Sequence, residues 1–318
     1  MPSPDLLSSD SQSANFLSPK EIEALIFLLD DPDEAIHHSV SERLAEQGMP
    51  IIPLLEKAWE HNMDPLLQER VEQLTHRIQY NDVRKAIERW AADDGEDLLE
   101  AALLLDRYAY PERDQTAIRE KVAELRRAVW LELSQYLTPL EKVHVVNQVL
   151  FRHLGFAGLD DLARDPRAAY LGTLLETRKG NPLSLGLLYL ILAQQLELPV
   201  YGVRFPQHPL LAVTEGYLLN FARPALRDQV VFYLYPFRHG AVVTARDIEE
   251  NLQKAGVKAR PEFYMPVSNR SMFQEMLLIL ENLYRGKEQL DKATEIAGLR
   301  ALLHENALPA AEHGNSEA

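Results

Sequence analysis

The sequence predicts an α+β chain that is mainly α: helical hairpins first, then a core of one central helix and a small antiparallel sheet, then a closing helical hairpin. Three observations carry this. Helix-start signatures of the Ser/Thr-x-x-Glu kind recur before apolar runs with helical spacing. The stretch from Leu183 to Ala193 is apolar nearly all round, which belongs to a helix at the centre of a domain. Short runs of β-forming residues follow that stretch directly.

Residues 1–17 are rich in Ser and Asp and read as a disordered leader. Ser18-Pro19-Lys20-Glu21 is a capping box with proline in the first helical position, and Leu17 with Ile22 forms a hydrophobic staple. Ile22, Leu25, Ile26 and Leu29 make one apolar face; Val40, Leu44, Ile52 and Leu55 make the next. Leu29-Asp30-Asp31-Pro32-Asp33 predicts a turn into a helix, and Gln47-Gly48-Met49-Pro50 a break before another. Helix, Asp-Pro-Asp turn, helix and Pro-led helix together resemble a HEAT-type unit, a stack of helical hairpins that bury their faces on one another. Further helices are predicted at 82–92, 95–108 and 114–136, so that 18–136 forms a HEAT-like helical domain.

Thr138-Pro139-Leu140-Glu141 is a second capping box and opens a helix that runs to His153. A loop at Gly155-Phe156-Ala157-Gly158 and a helix over 167–178 follow. Asn181 is the next N-cap, with Pro182 in the first position of a helix over 182–196. Four strands are predicted, at 200–205, 210–213, 217–221 and 230–234, with Thr214-Glu215-Gly216 as a hairpin turn and Pro236 ending the last. Thr244 starts a helix through Ala255, and Gly256 suits its C-cap. These elements make a core over 137–266. Two helices broken at Gly286 make a hairpin over 267–305. It resembles a single tetratricopeptide unit and must dock on the core to bury its face. Residues 306–318 read as a disordered polar tail.

Composition narrows the function classes. The net charge of −15 argues against nucleic acid and anionic membrane as partners, since both call for a basic footprint. There is no cysteine, which excludes disulfides, thiolate metal sites and thiol nucleophiles. The N-terminus lacks the basic start and apolar run of a signal peptide, and 183–193 is too short to span a bilayer, so the expected location is the cytoplasm. His37, His38, His61 and His76 match no metal-ligand spacing. The acidic runs at Asp30–Asp33 and Asp93–Glu96 lack the alternating ligands of a calcium loop. No phosphate loop, dinucleotide fingerprint or nucleophile elbow is present, and no cofactor is expected.

The stretch 147–237 carries a family resemblance. In order it holds Asn147-Gln148-Val149-Leu150-Phe151, then Gly155-Phe156-Ala157-Gly158, Tyr170-Leu171 and Arg178-Lys179-Gly180-Asn181-Pro182-Leu183-Ser184-Leu185. Leu198-Pro199-Val200-Tyr201-Gly202-Val203, Phe205-Pro206-Gln207-His208 and Tyr235-Pro236-Phe237-Arg238-His239-Gly240 follow. This resembles the bacterial SirB-type transglutaminase-like core with a tetratricopeptide-like hairpin behind it. Arg-x-Gly-Asn-Pro-x-Ser-Leu followed by Pro-x-His is its most specific part. The resemblance implies a papain-like site: a Cys at the start of the central helix, a His on the next strand as base, and an Asp on the following strand to orient it. The helix start here is Pro182 to Ser184, the His is His208, and the Asp position falls on Tyr235. The nucleophile position holds no thiol, and a tyrosine cannot act as a carboxylate.

The expected function is therefore a transglutaminase-like protein without catalysis, a module that binds a protein or peptide partner or acts as a scaffold. Arg178, Asn181 and His208 are its candidate binding residues. Two alternatives stand beside it: a residual hydrolase or transferase using Ser184 and His208, and a structural or regulatory subunit that self-assembles. Ser184 also has a purely structural reading, bonding backbone in the first helical turn.

Overall fold

The computed structural model describes residues 17–206, 208–218, 221 and 224–303. The predicted tail, nearly all of the leader, Gln207 and part of the predicted strand at 217–221 lie outside them. The described chain is α+β and mainly α. It divides into two compact units, Met1–Asp82 and Val83–Ala318.

The first unit holds α1 (Pro19–Phe27), α2 (Glu34–Ala45), α3 (Ile52–His61) and the first part of α4 (Pro65–Ala92). Both halves of the first capping box form: Ser18 accepts from the Glu21 amide, and the Glu21 side chain accepts from Ser18. Ile22, Leu29, Leu44, Leu55, Val71 and Ile78 meet in one apolar core. Buried Arg70 donates to the carbonyls of Leu29 (2.6 Å) and Asp31 (2.9 Å), which fixes the Asp-rich turn between α1 and α2. The helix expected at 82–92 is the end of α4, which is one 28-residue helix.

The second unit is wound around the central helix. Its elements are α5 (Leu98–Ala109), α6 (Gln115–Trp130), α7 (Pro139–Asn147), β1 (Ala157–Gly158), α8 (Leu171–Thr177), β2 (Lys179–Gly180) and α9 (Pro182–Gln195). Then come β3 (Val200–Val203), β4 (Leu210–Thr214), β5 (Val230–Tyr235), β6 (Ala241–Val243), α10 (Ala245–Lys254), β7 (Pro266–Val267), α11 (Asn269–Arg285) and α12 (Leu290–Ala301). Every residue of α9 from Leu183 to Ala193 is buried, as its all-round apolar sequence requires. The helices α5, α6, α8 and α11 and strands β3 and β4 pack on it. The predicted boundary at 136/137 thus falls inside this unit, because α5 and α6 bury their apolar faces on α8 and α9. The helix predicted to reach 136 ends at Trp130.

The sheet is antiparallel with order β6-β5-β4-β3-β7. This corrects the strand set predicted from sequence. Tyr217 and Leu218 are not in a strand; β4 pairs with β5 instead, Leu211 opposite Leu234. Local bonds hold residues 215–218 out of the sheet: the Thr214 hydroxyl donates to the Gly216 carbonyl (2.6 Å), and the Leu218 amide donates to the Tyr201 hydroxyl (2.8 Å). The helix expected through His153 continues past α7 as a π-helical segment, Gln148–His153. The one expected at 167–178 is a short 3₁₀ turn, Pro166–Ala169, followed by α8. At the end of the unit α11 and α12 pack as a hairpin broken at Gly286.

Candidate functional site

Three segments build the site: the β2–α9 junction, the loop before β4, and the end of β5. Arg178 ends α8 in the left-handed region, at φ 55°, and turns the chain into β2, which pairs in parallel with β1. Asn181 then caps α9. Its side-chain oxygen accepts from the amides of Leu183 (3.0 Å) and Ser184 (3.1 Å), and its amide nitrogen donates to the Asp165 carbonyl (3.2 Å). Pro182 occupies the first helical position, where its missing N–H costs nothing.

Ser184 closes the box. Its hydroxyl donates to the Ala168 carbonyl (2.6 Å) and accepts from the Asn181 amide (3.2 Å), and both residues are fully buried. A Cβ on Gly180 would lie 2.5 Å from this oxygen, so glycine is required beside it. The hydroxyl is thus spent on backbone, as in the structural reading of Ser184. Among the described residues, no bond joins it to His208.

His208 is brought beside the central helix by Pro209, which packs where Gly186 leaves room: a Cβ there would meet Pro209 at 3.1 Å. The β4–β5 register carries His208 to the level of Tyr235 and Phe237. The imidazole lies 4.5 Å from the Tyr235 ring and 5.0 Å from the Phe205 ring, and Tyr235 lies 5.9 Å from Phe237. The sequence-predicted pair is therefore brought together, but as members of an aromatic cluster with tilted and edge-on rings. Burial pushes the His208 pKa down to about 4 and that of Tyr235 up to about 12, with Arg238 opposing the second shift. Near neutral pH the pair carries no charge. An imidazole held that low is a poor general base, and a protonated phenol does not stabilise an imidazolium as a carboxylate does.

Of the candidate binding residues, Asn181 is committed to its cap. Arg178 is exposed and donates to the Leu154 carbonyl (2.9 Å), tying the end of the π-helical segment to the β2 turn. The two ends of the sequence motif also meet. Asn147 donates to the Gly240 carbonyl (2.9 Å), and a Cβ on Gly240 would lie 2.0 Å from the Asn147 side chain. A polar cleft of about 710 Å³ opens there, lined by His144, Asn147, Gln148, Phe151, Arg152 and His239.

Sequence reading missed a buried ion pair under α8. Asp106, with no exposed surface, accepts twice from Arg113 (2.9 Å each) and once from the Gly172 amide (2.9 Å). A Cβ on Gly172 would meet both partners, at 2.5 and 2.9 Å. Asp106 sits in an apolar helical run, and its amide partner is 66 residues away, so no local pattern marks it.

Comparison with known proteins agrees with this architecture. The transglutaminase-like superfamily matches residues 116–278, from the start of α6 into α11 and just over half of the chain. A UPF0162 protein of Xylella fastidiosa is 31% identical over 210 residues, covering 63% of this chain and 69% of its own. One from Vibrio cholerae is 26% identical over 211 residues, covering 65% of this chain and 73% of its own. Mouse F-box only protein 21 is 26% identical over 230 residues, covering 64% of this chain and 35% of its own. No solved structure matches. On the extent of these matches, the chain belongs to the transglutaminase-like superfamily.

Proposed function

We propose that this protein is a SirB-type, non-catalytic member of that superfamily that works by binding a protein or peptide partner. The observation that carries the reading is the state of the former catalytic positions. Pro182 and a backbone-bonded Ser184 stand at the helix start, and His208 packs on Tyr235 where the family pattern has a carboxylate. The alternative hydrolase needs Ser184 free and His208 basic; the backbone bonds of Ser184 and the burial of His208 favour the non-catalytic reading over it. Helical hairpins of a HEAT-like first unit offer the partner surface. A groove of about 300 Å³ there is lined by Ile26, Phe27, Leu54, Ala58 and Leu67, with Lys57 and His61 at its polar side. Phe27 is 82% exposed, and Met63, close in sequence to His61, is 89% exposed. An exposed aromatic side chain on an apolar-lined groove supports a docking surface there. The C-terminal hairpin, α11 with α12, serves as a tetratricopeptide-like brace on the core.

The test is crosslinking with mass spectrometry in cells that carry the wild-type chain or a Phe27→Asp/Met63→Asp variant. One partner, crosslinked to the first unit and lost in the variant, is the expected result. A partner set that ignores the substitutions would contradict the assigned surface, and a crosslink only between copies of this chain would favour the self-assembling subunit.

A further inference from the structure

The second unit carries a cleft whose charge runs against that of the chain. Strand β7 pairs with β3, Gly202 opposite Val267 and Val203 opposite Pro266, which delivers the start of α11 to the end of β3. Gly202 allows this approach: a Cβ there would lie 2.3 Å from the Met272 sulfur. Arg204, directly after β3, therefore faces the first turns of α11, which present Arg270, Ser271, Gln274 and Glu275. Arg300 comes from α12. These residues line one cleft of about 430 Å³, floored by Leu278 and Leu303.

The arginines are not neutralised in the ordinary way. Acidic residues outnumber basic ones 48 to 33 in this chain. Even so, among the described residues no carboxylate makes an ion pair with Arg204 or Arg270. Arg270 donates to the Ala91 carbonyl (3.1 Å), its stem lies on Gly95, and its Nε is buried without a partner. Arg300 pairs with Glu281 (3.1 Å), but that carboxylate already serves Arg285 (2.9 Å). One carboxyl shares the cleft, Glu275: burial raises its pKa, and the charges of Arg204 and Arg300 across the cleft oppose that shift, so it offsets one of the three arginine charges at most. The N-terminus of α11, a 17-residue helix capped by Ser268, adds its dipole at the same place.

We propose that this cleft is a binding site for a small anionic ligand carrying a phosphate or carboxylate group. The planar fork of Arg204 takes its oxygens in paired hydrogen bonds, Arg270 adds charge and the donors not spent on Ala91, Ser271 adds a hydroxyl, and Leu278 and Leu303 receive its apolar part. The site lies apart from the His208 cluster and does not depend on the reading given for it.

Isothermal titration of the full chain with inorganic pyrophosphate and, separately, with succinate tests this. Saturable one-site binding of one of the two is expected, and which one binds separates the phosphate source from the carboxylate source. Arg204→Gln, at an exposed side chain, is expected to weaken it by about tenfold or more, while Arg246→Gln, a surface arginine paired with Glu250, leaves it unchanged. Absence of saturable binding by both probes, binding indifferent to Arg204→Gln, or equal weakening by Arg246→Gln would overturn the proposal.

Discussion

The start of α9 and the start of α11 are both capped helix N-termini in the same unit, yet they use their polar groups in opposite ways. At α9, Asn181 and Ser184 bond to each other, to Asp165 and to Ala168. Among the described residues, the polar groups of this cap are bonded to one another and to backbone. At α11, Ser268 caps the helix, but among the described residues two guanidinium groups beside it have no carboxylate within ion-pair distance, and Glu275 acts on Arg204 only across the cleft. Burial with complete satisfaction makes a polar group structural, because its removal orphans its partners. Charge left without a partner in a concave site makes it available. On the reading proposed above, the family's catalytic position serves as scaffolding, and the proposed anion site lies elsewhere on the same core.

The sharpest way to break this comparison is to remove the α9 cap. Asn181→Ala orphans two amides and the Asp165 carbonyl in a buried place, and an expected loss of about 3 kcal/mol is read from urea unfolding. Arg204→Gln at the other helix is expected to fall within about 0.5 kcal/mol of wild type in the same assay.

A similar magnitude comes from acid. His208 titrates at about 4 in the folded chain and at 6.5 as an ordinary histidine. Between these values the unfolded chain binds the proton and the folded chain does not, so stability falls as pH drops through this window. The slope is about 1.4 kcal/mol per unit, on the order of 3 kcal/mol in all. Parallel unfolding of His208→Gln isolates this: the variant is expected to lose less stability than wild type between pH 7 and pH 4. Equal losses would mean that the imidazole is not sequestered by its ring neighbours.

Ser184→Ala is a smaller perturbation. It removes the donor to the Ala168 carbonyl and the acceptor of the Asn181 amide but leaves the Asn181 side chain as the cap, an expected cost of about 2 kcal/mol read from urea unfolding. Smallest is Tyr189→Phe. The Tyr189 hydroxyl is buried in the middle of α9 with no partner among the described residues, so its loss is expected to be neutral or stabilising, within about 1 kcal/mol.

Much of the fold was legible because its signals are local. The predicted capping boxes at Ser18 and Thr138 both form, the helix expected from Thr244 starts there, and the all-round apolar run at 183–193 is the buried centre. Tyr217 misled because β-forming residues after a Gly turn imitate a hairpin, while side-chain bonds from Thr214 and Tyr201 decide otherwise. The strands β6 and β7 are three and two residues long, too short for an alternating pattern to register. At the site, the family pattern picked out His208 and Tyr235, and their adjacency follows from strand register. The partners of Ser184 and Asp106 could not be read, since Ala168 and Gly172 contribute only backbone atoms. The arginine cleft is the extreme case: positions 204, 270 and 300 meet only after β7, α11 and α12 have folded back on β3.

The account rests on Ser184 being a cap and not a nucleophile. Labelling of the purified chain with a fluorophosphonate probe, with the adduct mapped by mass spectrometry beside Ser184→Ala and His208→Ala, tests this most directly. The prediction is no adduct on Ser184 in wild type. An adduct on Ser184 that disappears in His208→Ala would show a working serine–histidine pair and contradict the non-catalytic reading.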